Sequence, residues 1–475
     1  MPREARVRPV ATNWPRPRPD RRAALALAAA LALALPVAAR ADDAASWFGS
    51  YGRVGLALDP DGGGLGKQPA VVPFAPRLNE GNYLELDWGY RPWTSPEARV
   101  VTLITVALGD SFFHYDGRWD ADLAIRQAFV EASRLFGTPL YTWIGSRLDR
   151  GDDVYLFDFW PLDDLNTFGA SVGWRGERLD ASLHFGLNRL DDPFQTQQVA
   201  VPANDFGAED VAQVDRQRSI LALRVEHRYG GAEGALGQKV RLYAELHGLP
   251  AADRSVNGSV TTTEHLPDDA GWLVGAQYGL WNLLGDGRNH LNVWLRAAGG
   301  LAAYDELGVP QSLDDDRRSV AAREYRVALS GNLEVGRLAV MYGGYARLFV
   351  DADGEDEDFD DRQDVAAAVR PMLRYGLFTP GVEASIQASR PNGLNPRTQE
   401  QAVARVVQLA LVPALTFGDD PGSYTRPQLR LIYSISLLNQ AALDRYAADD
   451  PRAAHGTVHF IGARAEWWFG RGGGY

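Results

Sequence analysis

The chain has no cysteine, so neither a disulfide framework nor a thiolate metal site is open to it. Beyond Leu35 it lacks any run of about 18 apolar residues, the length a membrane-crossing helix requires. It has no basic stripe, and its formal charge of −13 argues against nucleic acid as a partner. No Ser–His spacing suggests a lipase, the eight histidines form no metal cluster, and no motif asks for a cofactor. A chain this long could hold two or three soluble domains, yet no linker, low-complexity spacer or composition shift divides it.

What is present begins with a leader. Arginines at 3, 6, 8, 16, 18, 21 and 22 precede thirteen Ala and Leu residues, Ala23 to Leu35, then Pro36 and the small-residue site Ala39-Arg40-Ala41. Residues 1–41 therefore read as a secretory signal, with cleavage expected before Asp42 and residues 42–475 forming the mature protein. Arg21-Arg22 fits a polybasic leader better than the export route for folded proteins. Loss of the leader removes eight Arg and two acids, taking the formal charge from −13 to −19.

The mature sequence alternates. In Tyr83-Leu84-Glu85-Leu86-Asp87-Trp88, Leu84, Leu86 and Trp88 share one face while Tyr83, Glu85 and Asp87 share the other. Tyr51 and Arg53 oppose Val54 and Leu56 in the same way, and Arg464, Glu466 and Trp468 oppose Trp467 and Phe469. Period-two patterning marks strands with two unlike faces. With export and no helical span, two options remain: a closed barrel, the other structure that can cross lipid, or a soluble β-rich periplasmic protein. The apolar stripe of Leu, Val and Trp disfavours the second.

Similar runs of about ten residues recur to Phe469, as transmembrane strands do. Short gaps such as 175–177 and 230–237 alternate with long polar ones at 191–217, 251–270, 304–323, 351–363 and 439–455, the asymmetry of an outer-membrane barrel. The connection 351–361 carries eight carboxylates and reads as a solvated loop, with a divalent cation as the other reading. Residues 123–134 break the alternation and predict a short helix leading into a turn at 135–140.

Three blocks of residues resemble the maltoporin-type sugar porins. The first is Tyr51-Gly-Arg53-Val-Gly with Arg77-Leu78 and Tyr83-Leu-Glu85-Leu. The second runs from Trp119 to Arg126, then Gly145-Ser-Arg147 and Asp153 to Trp160. The third is Arg370-Pro371-Met372, Tyr424-Thr-Arg426-Pro427 and the closing Gly462 to Phe469. The resemblance runs from Tyr51 to Phe469. It implies an all-β fold, a large antiparallel transmembrane β-barrel of 18 strands, assembled as a homotrimer in outer-membrane lipid, with a third loop folded inward as a constriction. It also implies a lumenal path of aromatic rings for oligosaccharides: Tyr51, Tyr83, Trp119 reaching in from a neighbouring subunit, Trp160 where the family has a constriction tyrosine, Tyr424 and Trp468. Arg53, Arg77, Glu85, Arg126, Asp153 and Asp158 match the flanking polar track, and Arg150 matches a further arginine one residue out of register.

There are departures. Arg288 stands where a slide phenylalanine is expected, with Trp294 as a deeper substitute. Gly470 to Tyr475 extends past the usual terminal aromatic, so Phe469 or Tyr475 is the assembly signal. The small loop disulfide found in the family cannot form here.

The chemistry suits a sugar. A pyranose has two apolar C–H faces that rings can cover and an equator of hydroxyls that charged groups can satisfy, and several modest sites in a row permit conduction. Aromatics in such barrels also form interface girdles, and Arg53, Arg77 and Arg126 could instead pair with Asp153 and Asp158 to pin the inward loop. Tyr155 and Phe157 read as anchors of that loop. Other readings are a general diffusion porin without sugar specificity, or an enzyme using Asp153 and Asp158, or Glu85 and Asp87, for glycoside cleavage. Nearby arginines make these poor raised-pKa acids.

Overall fold

The computed structural model describes residues 45–470 apart from 59, 61–67, 79, 110–121, 203–207, 232–234, 257–261, 311, 355–357, 419–421 and 448. The expected leader, Trp119 and Tyr475 thus lie outside the described residues. Eighteen strands make one sheet. They are β1 (Ser46–Leu58), β2 (Tyr83–Thr94), β3 (Arg99–Gly109), β4 (Asp122–Ser133), β5 (Leu140–Ser146) and β6 (Phe168–Arg175). Then come β7 (Leu179–Asn188), β8 (Arg218–Gly230), β9 (Gly237–Leu249), β10 (Asp269–Trp281), β11 (His290–Gly300) and β12 (Arg323–Val335). The last six are β13 (Leu338–Val350), β14 (Arg362–Leu373), β15 (Phe378–Pro391), β16 (Ala404–Thr416), β17 (Gln428–Leu438) and β18 (Thr457–Phe469). Each pairs antiparallel with the next. β18 returns to β1, with Trp468 opposite Tyr51 and Glu466 opposite Arg53. Closure leaves no sheet edge to expose unpaired backbone groups to lipid.

The alternation has the sign expected of a wall between oil and water. On β16, Val407, Leu409, Leu411 and Leu415 are exposed while Gln408, Ala410 and Thr416 are buried. On β2, Trp88 and Tyr90 are exposed while Glu85 and Asp87 are buried. Apolar side chains outside and polar ones inside invert the pattern of a soluble protein. Antiparallel order puts the short connections, including 95–98, 134–139, 176–178 and 336–337, at one end. The long ones gather at the other; two of them carry their own hairpins, Thr196–Pro202 with Ala208–Asp215 and Ala252–Val256 with Thr262–Leu266.

The expected helix at 123–134 is strand β4 instead. Its register against β3 shifts by one residue, Val106 facing Ile125 but Thr105 facing Gln127. This bulge sits at Arg126. It reverses the inward–outward phase halfway along the strand, which imitates a helical period in the sequence.

The connection 147–167 folds into the barrel. Val154, Leu156, Phe157, Phe159 and Leu162 are buried in one cluster with the wall residues Trp294, Ala328, Met341 and Tyr345. The wall makes room with glycines: a Cβ at Gly275 would lie 2.3 Å from Leu162, and one at Gly343 2.7 Å from Val154. The segment 68–82 folds in as well. Phe74 stacks on Phe159 at 4.5 Å, and the Arg77 amide donates to the Leu156 carbonyl at 3.0 Å. A third connection, 301–322, buries Leu301, Ala302 and Ala303.

Candidate functional site

Four of the six rings expected on the lumen fall in one run, in which Tyr155, expected as a loop anchor, bridges Trp468 and Tyr424. Tyr83 lies 6.1 Å from Tyr51, and Tyr51 lies 6.5 Å from Trp468. Trp468 is 6.4 Å from Tyr155, which is 5.4 Å from Tyr424. His290 follows 5.7 Å beyond Tyr424. Four strands and two connections contribute, and the pairing of β1 with β18 sets the first and last strands side by side within the path. Tyr51, Tyr83, Trp468 and Tyr424 are half-buried, each keeping part of its surface open. Trp160 joins Tyr424, Asp153, His290 and Asn292 in lining a cavity of about 490 Å³. Arg150 stacks over Trp160 at 4.1 Å and pairs with Asp164.

The polar track splits into two groups. Arg53 and Arg77 both reach Asp158, at 3.5 and 2.6 Å, and both reach Glu80, at 3.3 and 2.7 Å. This ties the two infolded segments to β1. Arg126 goes elsewhere: it pairs with Glu85 at 2.9 Å and bonds the Tyr83 hydroxyl, which itself donates to Glu85 at 2.6 Å. Arg126, at the β4 bulge, thus faces β2, and the alternative in which it pins the loop through Asp153 or Asp158 is not what the described residues form. Asp153 and Asp158, read together from sequence, behave oppositely. Against its burial, Arg77 and Arg53 hold Asp158 below the usual carboxylate range. Burial, opposed by Arg77 and helped by Asp158 and Asp152, pushes Asp153 up to about 6. The expectation that arginines keep both acids low holds for Asp158 alone.

The deeper substitute for the missing slide ring does not reach the lumen, and neither does the residue in its place. Trp294 is 1% exposed and packs under the infolded loop, while Arg288 bends back onto Asp286 at 2.8 Å in a short connection. Tyr155 and Phe157 are buried as loop anchors; Tyr155 donates to Glu466 at 2.8 Å. Sequence reasoning missed Glu80 and the Glu466 cluster, where Arg426 at 2.7 Å and Arg430 share one carboxylate. Alternation does put Glu466 and Arg430 on the lumenal faces of β18 and β17, so that part was readable. A second cavity, of about 750 Å³, opens toward the short-connection end. It shares Gly151, Asp152 and Lys239 with the first and is lined by Arg147, Arg224 and Arg241.

A closed barrel with an inward loop, a lumenal ring path and charged walls now has a match: the model of the LamB porins covers residues 47–469. The chain belongs to the LamB porin family. This LamB porin is accordingly an outer-membrane channel. A search of curated proteins returns no match. Among solved structures it is similar to Acinetobacter baumannii OccAB1, with 11% identity and a TM-score of 0.45 over 90% of this chain and 97% of that one. It is also similar to in-vitro folded OmpT of Vibrio cholerae, with 10% identity and a TM-score of 0.40 over 90% and 99% of the two chains. OpdK of Pseudomonas aeruginosa, solved with vanillate, shares 10% identity at a TM-score of 0.39 over 89% and 98%.

Proposed function

We propose that this porin carries sugars, maltose- or maltodextrin-like oligosaccharides, by facilitated diffusion along Tyr51, Tyr83, Trp119, Trp160, Tyr424 and Trp468. The observation that supports this reading is the line of half-open rings Tyr83, Tyr51 and Trp468, 6.1 and 6.5 Å apart, continued to Tyr424 by the buried Tyr155. Rings at that spacing can pass a pyranose face from one to the next, each contact worth about 0.5–1.5 kcal/mol by analogy with aromatic pairs. Arg53, Arg77, Glu85, Arg126, Arg150, Asp153 and Asp158 lie beside the path as partners for hydroxyls, at roughly 1.5–3 kcal/mol for a hydrogen bond to a charged group. The chain is exported with removal of residues 1–41 and works as a homotrimer, in which Trp119 reaches a neighbouring lumen.

The test is conductance in a planar bilayer titrated with maltooligosaccharides. Saturable blockade by sugar, weakened in Trp160→Ala, supports the proposal; blockade unchanged by Trp160→Ala counts against the site. A general diffusion porin is the second reading, favoured by how fully the track charges pair with one another, as Arg77 does with Glu80 and Asp158. A current that discriminates among ions but ignores sugars would establish it.

A further inference from the structure

The acidic connection 351–361 is not used by the ring path, and folding changes its meaning. Asp351, at its start, and Asp358 and Asp361, at its end, each bring a carboxylate oxygen to one place, all within 4.8 Å of one another. Asp351 is 3% exposed and Asp361 7% exposed. A solvated loop would instead spread its like charges into water.

Asp351 marks the point of convergence. One of its oxygens accepts from the Asp353 amide at 3.1 Å. The other, Oδ2, is buried and accepts no hydrogen bond among the described residues. Neither Asp351 nor Asp358 forms an ion pair with a described residue. A buried, acceptor-only oxygen among carboxylates lacks a donor or a cation.

We infer that Asp351, Asp358 and Asp361 form a divalent-cation site at the long-connection end of the barrel. All three donors are hard oxygens, which suit Ca²⁺ or Mg²⁺ rather than a soft metal. Mg²⁺ keeps several of its waters and is seldom held by carboxylates from the protein alone, whereas Ca²⁺ accepts a flexible set of them, so three converging Asp side chains suit Ca²⁺ better. The site also joins three connections. Gly393 donates its amide to the Asp358 carbonyl, Asn392 Nδ2 lies 3.4 Å from Asp361, and Ser312 Oγ donates to Asp360 at 2.9 Å. A bound cation would fix 351–361 against 392–403 and 301–322 at that mouth.

The experiment is calorimetric titration of the full-length, detergent-solubilised protein with CaCl₂ after chelator treatment, with MgCl₂ in parallel. We expect saturable binding of one Ca²⁺ per chain, with a Kd on the order of 10⁻⁴–10⁻³ M and weaker binding of Mg²⁺. Asp351→Asn and Asp358→Asn should each weaken it at least tenfold, while Asp316→Asn, an exposed acid of 301–322, should leave it unchanged. Folding is checked by heat-modifiable gel mobility, and Asp358→Asn, being only half-buried, decides alone if Asp351→Asn fails to fold. Absence of saturable Ca²⁺ binding, equal binding by the Asp358 variant, or Mg²⁺ binding as tight as Ca²⁺ would overturn the inference.

Discussion

Trp467 and Trp468 are adjacent in sequence and opposite in environment, which allows a paired test. Trp468 faces the lumen at the centre of the ring run, 6.5 Å from Tyr51 and 6.4 Å from Tyr155, with the Arg426 guanidinium 4.5 Å from its ring centre. Trp468→Ala splits the run into Tyr83–Tyr51 and Tyr155–Tyr424. Losing one ring contact of about 0.5–1.5 kcal/mol predicts sugar blockade weakened by about 2- to 12-fold. Trp467 points outward. Its ring lies where a Cβ on Gly52 would be, 2.1 Å away, and its Nε1 donates to Ser50 Oγ at 3.1 Å. Trp467→Ala should leave blockade unchanged and lower stability by about 1–3 kcal/mol, less than the 3–5 kcal/mol of a fully buried tryptophan. Sugar titration of single-channel current reads the first effect, and urea unfolding in detergent micelles reads the second. If the two variants lose blockade equally, or Trp467→Ala alone loses it, the assignment of lumenal and lipid faces on β18 is wrong.

Other outcomes follow from the packing and charge of the infolded loop. Gly343→Val would drive a side chain into Val154, 2.7 Å from the first added carbon, at a cost of about 1–3 kcal/mol for overpacking; we expect a displaced loop and larger single-channel conductance, and an unchanged conductance would contradict the packing. Asp153, pushed up to about 6, is charged at pH 7 and gains a proton as pH falls through 6, so the lumen loses one negative charge and cation selectivity should decline between pH 7 and 5. Glu306, pushed up to about 7 by burial, titrates in the same window, so reversal potentials of wild type and Asp153→Asn must be compared; identical pH profiles would refute the role of Asp153.

The legible parts of the structure were those carried by local period and by position along a strand. Glu85 and Asp87 against Trp88, and Glu466 and Trp468 against Trp467, are sorted by the pleat alone, because successive residues of a strand must face opposite sides. Long polar stretches likewise declared the end of the barrel at which they gather. The strand at 122–133 escapes the same rule: one extra residue at Arg126 inverts the phase, and an inverted strand has the period of a helix. The motif blocks single out Tyr51, Tyr83, Tyr424 and Trp468 without aligning them; the closure of β18 on β1 does that.

By itself, then, the sequence determined sidedness: which residues meet lipid, which meet the lumen, and that the wall closes without a helix. Partner choice was left to the tertiary structure. Arg126 joins Glu85 while Arg53 and Arg77 join Asp158, segment 68–82 enters the barrel beside the expected loop, and Asp351 meets Asp358 and Asp361. Alternation is a property of the backbone that repeats every two residues, whereas ion pairs and converging carboxylates depend on how connections without period fold across the bore. Nothing in the spacing of those residues encodes that path; the packing of the loops against one another and the wall does.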